Sequence, residues 1–383
     1  MTGSLQIKND MYYMVVNTKN AEGKRKQKWV STGLSIKGNK RKAEQQLNAF
    51  LTESVEKGYK EPSKMMFCDY MTKWVETHKV NIQPKTHEAN TFYLKKHVYP
   101  FFKALDVSLT NVKSEAIQAY CDLKISEGLN PNTVIRHYAM IRTALNHAYK
   151  SKLIRANPCD WVVKPKSKKY FGAFYTADEI KKLLALFKGS PIEVPVFIAA
   201  YFGLRRSEVI GLRWSAIDLT NGSLTVCQKV VRLTHEGKRE NYITDTLKTE
   251  SSFRILPLDE KLITMFTAIK KQQEDNRVLC GDSYCVDYFD YVCVNVMGGL
   301  INPETMSRYF SKKIRENGMK VIRFHDLRHS CASLLLSLGY AMKEIQDWLG
   351  HANYKTTADL YSHVDPRNKG KMIRGLTSAL GAV

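Results

Sequence analysis

HDLRHSCASLLLSL, residues 325–338, is the stretch on which the reading turns. His325-Asp326-Leu327-Arg328-His329 stands directly before Ser330–Leu338, an apolar run with helical spacing. His325 and Arg328 are three apart and share one helical face. Downstream come Leu349-Gly350-His351 and then Tyr361-Ser362-His363. Upstream, Gly203-Leu204-Arg205-Arg206-Ser207-Glu208 closes one apolar helix and opens another that runs through Leu212. Between these segments, Thr246-Leu247-Lys248-Thr249 leads through a turn at Glu250–Ser252 into a strand, Arg254–Leu258, which puts Lys248 on a β-hairpin edge. Taken singly, each residue is ordinary: a solvated helix start, a hairpin lysine, a half-buried tyrosine. Two arginines, a lysine, several histidines and a tyrosine in this order are not a chance assembly.

The rest of the 383-residue chain is consistent with a large packed protein that meets a polyanion. Hydrophobic residues make up 44% and charged residues 25%, which excludes disorder and a disulfide miniprotein. Lys and Arg number 59 against 37 Asp and Glu, a net +22, so the partner classes are nucleic acid or an anionic membrane surface. The first 170 residues hold most of the excess, with 30 basic and 14 acidic groups. A clamp around a duplex needs that distribution; a cleft for a small substrate does not. No apolar run reaches the ~18 residues of a membrane helix; Val194–Leu204 is the longest and contains Pro195 and Gly203. The first ten residues lack the layout of a signal peptide. The eight cysteines are scattered, as in a cytosolic protein with reduced thiols, and Cys280, Cys285 and Cys293 lack zinc-site spacing. No Gly-rich phosphate loop occurs, so neither a metal nor another cofactor is expected.

Three parts and a linker are expected. Residues 1–60 read as short strands at Met11–Val16, Lys28–Ser31 and Leu34/Ile36, then a helix from Arg41 to Lys57. Lys24, Arg25, Lys26 and Lys28 make that sheet basic, and a small sheet carrying Lys and Arg is one way into the major groove. Residues 61–161 read as all-helical: Met66–Thr77, Thr86–Val98 ended by Pro100, Ser114–Glu127, and Asn132–Ser151 capped by Asn132. Lys95, Lys96, Arg136 and Arg142 form a candidate DNA-facing set there. Residues 162–173 are a basic linker carrying Lys164, Lys166, Lys168 and Lys169. Residues 174–383 start with a capping box, Thr176 to Glu179. After Tyr361, Asp365-Pro366 breaks the chain before an apolar end, Leu376–Val383.

The five motifs of the last part resemble the tyrosine recombinase (phage integrase) family: Arg after Gly-Leu, hairpin Lys, H-x-L-R-H, L-G-H and a downstream Tyr. The resemblance implies a mainly α multidomain fold with small β-sheets. It comprises an N-terminal three-stranded sheet plus helix of arm-binding type, a SAM-like helical core-binding domain and a mixed α+β catalytic domain. It implies a site-specific recombinase that cuts and rejoins DNA through a 3′-phosphotyrosine intermediate, without metal or ATP. Tyr361 would be the nucleophile. Arg205 and Arg328 would bind the non-bridging phosphate oxygens as bidentate forks. Lys248 would protonate the leaving 5′-oxygen, His325 would help deprotonate Tyr361, and His351 would hydrogen-bond the phosphate. His329 and Glu208 would support the site. The partners implied are core and arm sites in double-stranded DNA, a homotetramer on that DNA, and an excisionase or host DNA-bending factor, in the bacterial cytoplasm with the nucleoid. The small N-terminal unit points to integrases of conjugative transposons, integrative conjugative elements and temperate phages, since Xer-type resolvases usually lack it. The competing readings are a housekeeping Xer-type resolvase or invertase, a type IB topoisomerase, and a non-catalytic DNA-binding regulator on the same fold.

Overall fold

Asn9 and Asp10, both at positive φ (51° and 56°), form the turn that opens the fold. A two-residue loop with both residues left-handed matches the natural twist of a strand pair. It joins β1 (Thr2–Lys8) to β2 (Met11–Lys19), with Lys8 opposite Met11 and Thr2 opposite Asn17. β2 pairs on its other edge with β3 (Arg25–Ser35). α1 (Lys40–Glu56) covers the sheet, packing Leu47, Phe50 and Leu51 against Met14 and Val16. A Cβ on Gly3 would lie 3.1 Å from Leu47 and 3.3 Å from Leu51, so this glycine lets helix and strand approach closely. The sheet-plus-helix unit is present, but its strands differ from those expected. Thr2–Lys8 supplies the first strand, Lys28–Ser31 and Leu34 share β3, and Ile36 lies beyond it. β1 has only Leu5 and Ile7 as large apolar residues, and Ile7 is exposed, so the half-buried alternation is thin.

This computed structural model describes residues 2–19, 25–56, 65–168, 172–235, 237–244, 252–350 and 377–378. The chain divides into two units, Met1–Lys168 and Lys169–Val383. The helical part of the first consists of α2 (Phe67–His78), α3 (Pro84–Tyr93), α4 (Tyr99–Ala104), α5 (Ser114–Ser126) and α6 (Pro131–Lys150). They enclose Phe67, Met71, Trp74, Phe102, Ile117, Tyr120 and Ile141. Pro100 does not end a helix. A π turn over Leu94–Val98, in which the Tyr99 amide bonds Leu94 O, carries α3 into α4 across it. The wider turn absorbs the hydrogen bond that proline cannot make. The cap of α6 is Asn130, not Asn132: its Oδ1 accepts from Asn132 N at 2.9 Å, with Pro131 in the first turn. Asn132 instead exchanges two hydrogen bonds with the Lys168 backbone, at 2.8 and 3.1 Å, and so ties down the extended segment that closes this unit.

The second unit starts at α7 (Ala177–Phe187), where Thr176 and Glu179 form the reciprocal capping box. α8 (Glu193–Phe202) is buried nearly all round. After α9 (Arg206–Ile210) come β4 (Ile217–Asp218), β5 (Ser223–Val226), β6 (Lys229–His235), β7 (Lys238–Thr244) and β8 (Arg254–Pro257). Then follow α10 (Glu260–Cys280), α11 (Pro303–Glu316), α12 (Asp326–Ser337) and α13 (Met342–Leu349). Phe187, Phe202, Phe266, Phe310 and Leu327 lie in the shared core. β8 does not turn back on β7. It pairs with β5 in the sheet β4-β5-β8, while β6 and β7 make a separate hairpin. Arg254 and Leu256 of β8 are buried and alternate with exposed Ile255, so its inner face belongs to the core that holds Leu224 and Val226. In sequence, Lys248 therefore falls between two sheets rather than within one hairpin; the residue itself lies outside the described residues. α12 starts at Asp326, so the H-x-L-R-H box is its first turn rather than its prelude. Among the described residues, no helix is long and apolar enough to cross a membrane.

Candidate active site

α8 stops at Phe202 because Gly203 adopts a left-handed φ of 61° and its amide closes the last turn on Ala199 O. A Cβ at this position would fall 2.5 Å from Leu349 Cδ2 and 3.2 Å from Cys331 Sγ. The glycine thus lets the end of α8 meet α12 and α13 at one point. Leu204 is buried behind it, and Arg205 takes an extended conformation at the N-cap of α9. Glu208, one turn on, accepts from the Arg205 amide at 3.0 Å and from Arg205 Nη1 at 2.7 Å.

Arg328, in the first turn of α12, is 1% exposed. Its Nη1 donates to Gly203 O at 2.8 Å and its Nη2 to Leu349 O at 2.6 Å. Arg205 Nη2 donates to Gly350 O at 3.0 Å, and Gly350 caps α13 at a φ of 66°. Both guanidiniums therefore converge on the carbonyls just before position 351. Arg205 keeps a third of its side-chain surface open to solvent.

A third arginine joins them that sequence reading did not single out. Arg254 Nη2 donates to the second oxygen of Glu208 at 3.0 Å, and Arg254 Nη1 to Ser252 O at 3.0 Å. Its signal was present: an arginine on the inward register of a short apolar strand is a residue type rarely buried without a partner. Glu208 is 3% exposed. Burial alone raises its pKa, but the guanidiniums of Arg254, Arg205 and Arg328 outweigh burial and hold it below the usual carboxylate range. Burial first, then repulsion from Arg205, lowers Arg328; burial is likewise the main cause for Arg254. Arginine starts so high that both stay charged at neutral pH. Three guanidiniums against one carboxylate leave a local formal charge of +2.

His325, at the N-cap of α12, is exposed. Partial burial, then the neighbouring His329 and Arg328, push its pKa well below the ordinary imidazole range, so it is neutral at pH 7. The His329 ring stands 5.3 Å away and nearly perpendicular. His329 Nε2 lies 3.7 Å from Asp326 Oδ1, and its Nδ1 is buried with no hydrogen-bond partner among the described residues. Asp326 is wholly buried, and Arg323 donates to it from Nε at 3.1 Å, Nη2 at 2.8 Å and the backbone amide at 2.8 Å. These bonds outweigh burial and keep the Asp326 carboxyl ionised, which fixes the box from below.

The described residues thus bring together Arg205, Glu208 and Arg328, with His325 and His329 on the same turn as Arg328. Lys248, His351 and Tyr361 lie outside them. Of the basic residues expected to face DNA, Lys95 and Lys96 are exposed on the π turn, with Lys96 Nζ 5.3 Å from the Phe92 ring centroid. Arg136 is exposed on α6, and Lys164, Lys166 and Lys168 are exposed along the extended segment. Arg142 instead pairs with Asp160 at 2.8 Å. Arg25, Lys26 and Lys28 belong to β3, while Lys24 and Lys169 lie outside the described residues. Among the described residues, no group of His, Cys, Asp or Glu is arranged to hold a metal.

The phage integrase family model matches residues 173–368, just over half of the chain, and the phage integrase SAM-like domain model matches 66–168. The chain belongs to the phage integrase family. A tyrosine recombinase XerC-like protein of Caldanaerobacter subterraneus subsp. tengcongensis is 27% identical to this family member over 282 residues, 70% of this chain and 72% of the relative. The ICEBs1 integrase of Bacillus subtilis is 26% identical over 312 residues, 79% and 80% of the two chains. Among solved structures, a Tn1549 transposon integrase in complex with transposon right end DNA has the same fold, with a TM-score of 0.66 at 20% identity over 83% of this chain and all of that one. This integrase-family chain is a DNA-binding recombinase that resembles the integrases of conjugative elements.

Proposed function

We propose that this protein is a site-specific integrase that cuts and rejoins DNA through a 3′-phosphotyrosine link to integrate and excise a mobile element. The observation that carries the reading is the gathering of Arg205, Arg254 and Arg328 about one buried carboxylate, Glu208, with a surplus of +2. A phosphodiester carries one negative charge, and the pentacoordinate transition state gathers a second on its non-bridging oxygens. A preorganised site of +2 favours the second state over the first, which is the requirement for catalysis.

In this mechanism the Tyr361 oxygen attacks phosphorus. The phosphorus–5′-oxygen bond breaks, and the bond energy is kept in the phosphotyrosyl link. The phenol, with a free pKa of about 10, must lose its proton, and a neutral His325 can accept it where a protonated one cannot. Lys248 gives a proton to the departing 5′-oxygen, and His351 holds a non-bridging oxygen. A 5′-hydroxyl of the partner strand reverses the step. Residues 61–161 would grip the core site through Lys95, Lys96 and Arg136, the 162–173 linker would follow the duplex, and 174–383 would carry the chemistry. The sheet and helix of residues 1–60 would bind arm sites through Lys24 to Lys28. The complete assembly would be a tetramer on DNA, directed by an excisionase or a host bending factor.

The likeness to an XerC-like recombinase keeps a resolvase as the second reading. The sheet-plus-helix unit before the SAM-like region favours the integrase. The deciding experiment incubates the parent and Tyr361→Phe with nicked duplexes tiled across the DNA flanking the gene, then resolves covalent protein–DNA bands on denaturing gels. The parent alone should form an adduct, on one short inverted-repeat site, while both bind it equally. An adduct formed by the variant moves the nucleophile elsewhere. Tight binding without an adduct from either favours a DNA-binding regulator.

A further inference from the structure

Arg254 is the member of the arginine cluster that the chemistry above counts only as a charge. It occupies an inward position on β8 beside Leu256, where an aliphatic side chain would complete the core. Stability does not account for it, because a buried ion pair is often no better than well-packed apolar residues of similar size. Its contacts have a direction. Glu208 Oε1 takes Arg205 Nη1 and Glu208 Oε2 takes Arg254 Nη2, so the carboxylate bridges the two guanidiniums. Arg254 is itself clamped by Ser252 O on the far side. Arg205, by contrast, heads a helix of only five residues and is partly exposed. Besides Glu208, its guanidinium is held by Gly350 O. A carboxylate three residues away on that same short helix could swing together with the arginine it holds. A second guanidinium arriving from the sheet prevents this.

We propose that Arg254 is a positioning residue: it fixes the Glu208 carboxylate and, through it, aims the Arg205 guanidinium at the scissile phosphate. The proposal rests on the recombinase reading above. It agrees with Arg254 being the foremost of the charges that keep Glu208 ionised.

The test measures adduct formation and DNA affinity for the parent, R254K, R254Q, E208Q and the double variant R254Q/E208Q, on the duplex that traps the parent. A second duplex carries sulfur in place of the departing 5′-oxygen. A thiolate leaves without a proton, so this substrate no longer needs Lys248. R254Q should bind within about twofold of the parent yet react roughly 100-fold more slowly, as a misplaced group does. R254K, which keeps the charge but not the fork, should lose less. The defect should persist on the sulfur substrate, because phosphate alignment is at fault rather than proton delivery. R254Q/E208Q removes both buried charges and so guards against a folding failure of R254Q alone. It should react no more slowly than E208Q, because Arg254 acts through Glu208. Full rescue on the sulfur substrate would place Arg254 in the service of the Lys248 segment and overturn the proposal. A double variant clearly slower than E208Q would do the same. A parent that forms no adduct on any tile removes the recombinase reading, and the proposal with it; a reacting parent with unaffected variants removes the proposal alone.

Discussion

Arg328→Lys keeps the charge and removes the planar fork. Arg328 spans two carbonyls, Gly203 O at 2.8 Å and Leu349 O at 2.6 Å, and it does so while 1% exposed. A lysine ammonium is a single point on a flexible stem and cannot hold both carbonyls while addressing a phosphate. One buried carbonyl left without a donor costs about 1–3 kcal/mol. In a unit of this size that lowers the melting temperature by about 2–4 °C per kcal/mol. At the transition state, the loss of one preorganised donor costs about 2.7–4 kcal/mol, or roughly 100- to 1,000-fold in rate. DNA affinity should change by less than about threefold, because phosphate contacts are shared among many basic side chains. The assay is single-turnover adduct formation on a nicked duplex at saturating protein, alongside an equilibrium binding titration and a thermal melt. Adduct formation near the parent rate refutes the bidentate assignment. An equal loss of binding and cleavage refutes the claim that this fork acts chiefly in the transition state.

Gly203→Ala must place a methyl 2.5 Å from Leu349 Cδ2 at a left-handed φ; it should destabilise the second unit and slow cleavage together, and an unchanged melt would contradict the close approach of α8 and α13. The pH profile follows from His325. Partial burial, then His329 and Arg328, against the weaker pull of Asp326, hold it below its ordinary 6.5, so the neutral base persists as pH falls through 6.5 and the acid limb of adduct formation lies lower. An acid midpoint at or above 6.5 would show that His325 is not the proton acceptor. Deleting residues 1–60 should spare cleavage of isolated core sites and weaken recombination of full-length ends; unchanged recombination would end the arm-binding assignment.

The helix termini of the candidate site were legible because their motifs are local. Gly-Leu-Arg with a glutamate one turn on, the H-x-L-R-H box and the Thr176–Glu179 capping box each specify a helix terminus from adjacent residues, and the structure builds those termini. The first strand was not legible, because two apolar side chains in seven residues carry almost no period. Pro100 misled for a related reason: the rule that a proline ends a helix assumes α geometry before it, and a π turn stands there instead. The partner of β8 was also out of reach. Closeness in sequence suggested β7, whereas burial of Leu256 with Leu224 selected β5.

Residue identity and order alone pointed to a basic, multipart, mainly helical DNA recombinase and proposed Arg205, Arg328, His325 and Tyr361 as its working parts. Tertiary structure alone decided what holds Arg205 and Arg328 in place. Arg328 reaches a carbonyl 125 residues away and Arg254 a carboxylate 46 residues away. The partners in such contacts leave no periodic or local trace, because the contacts exist only once a shared core has excluded water and left each buried charge to find its partner.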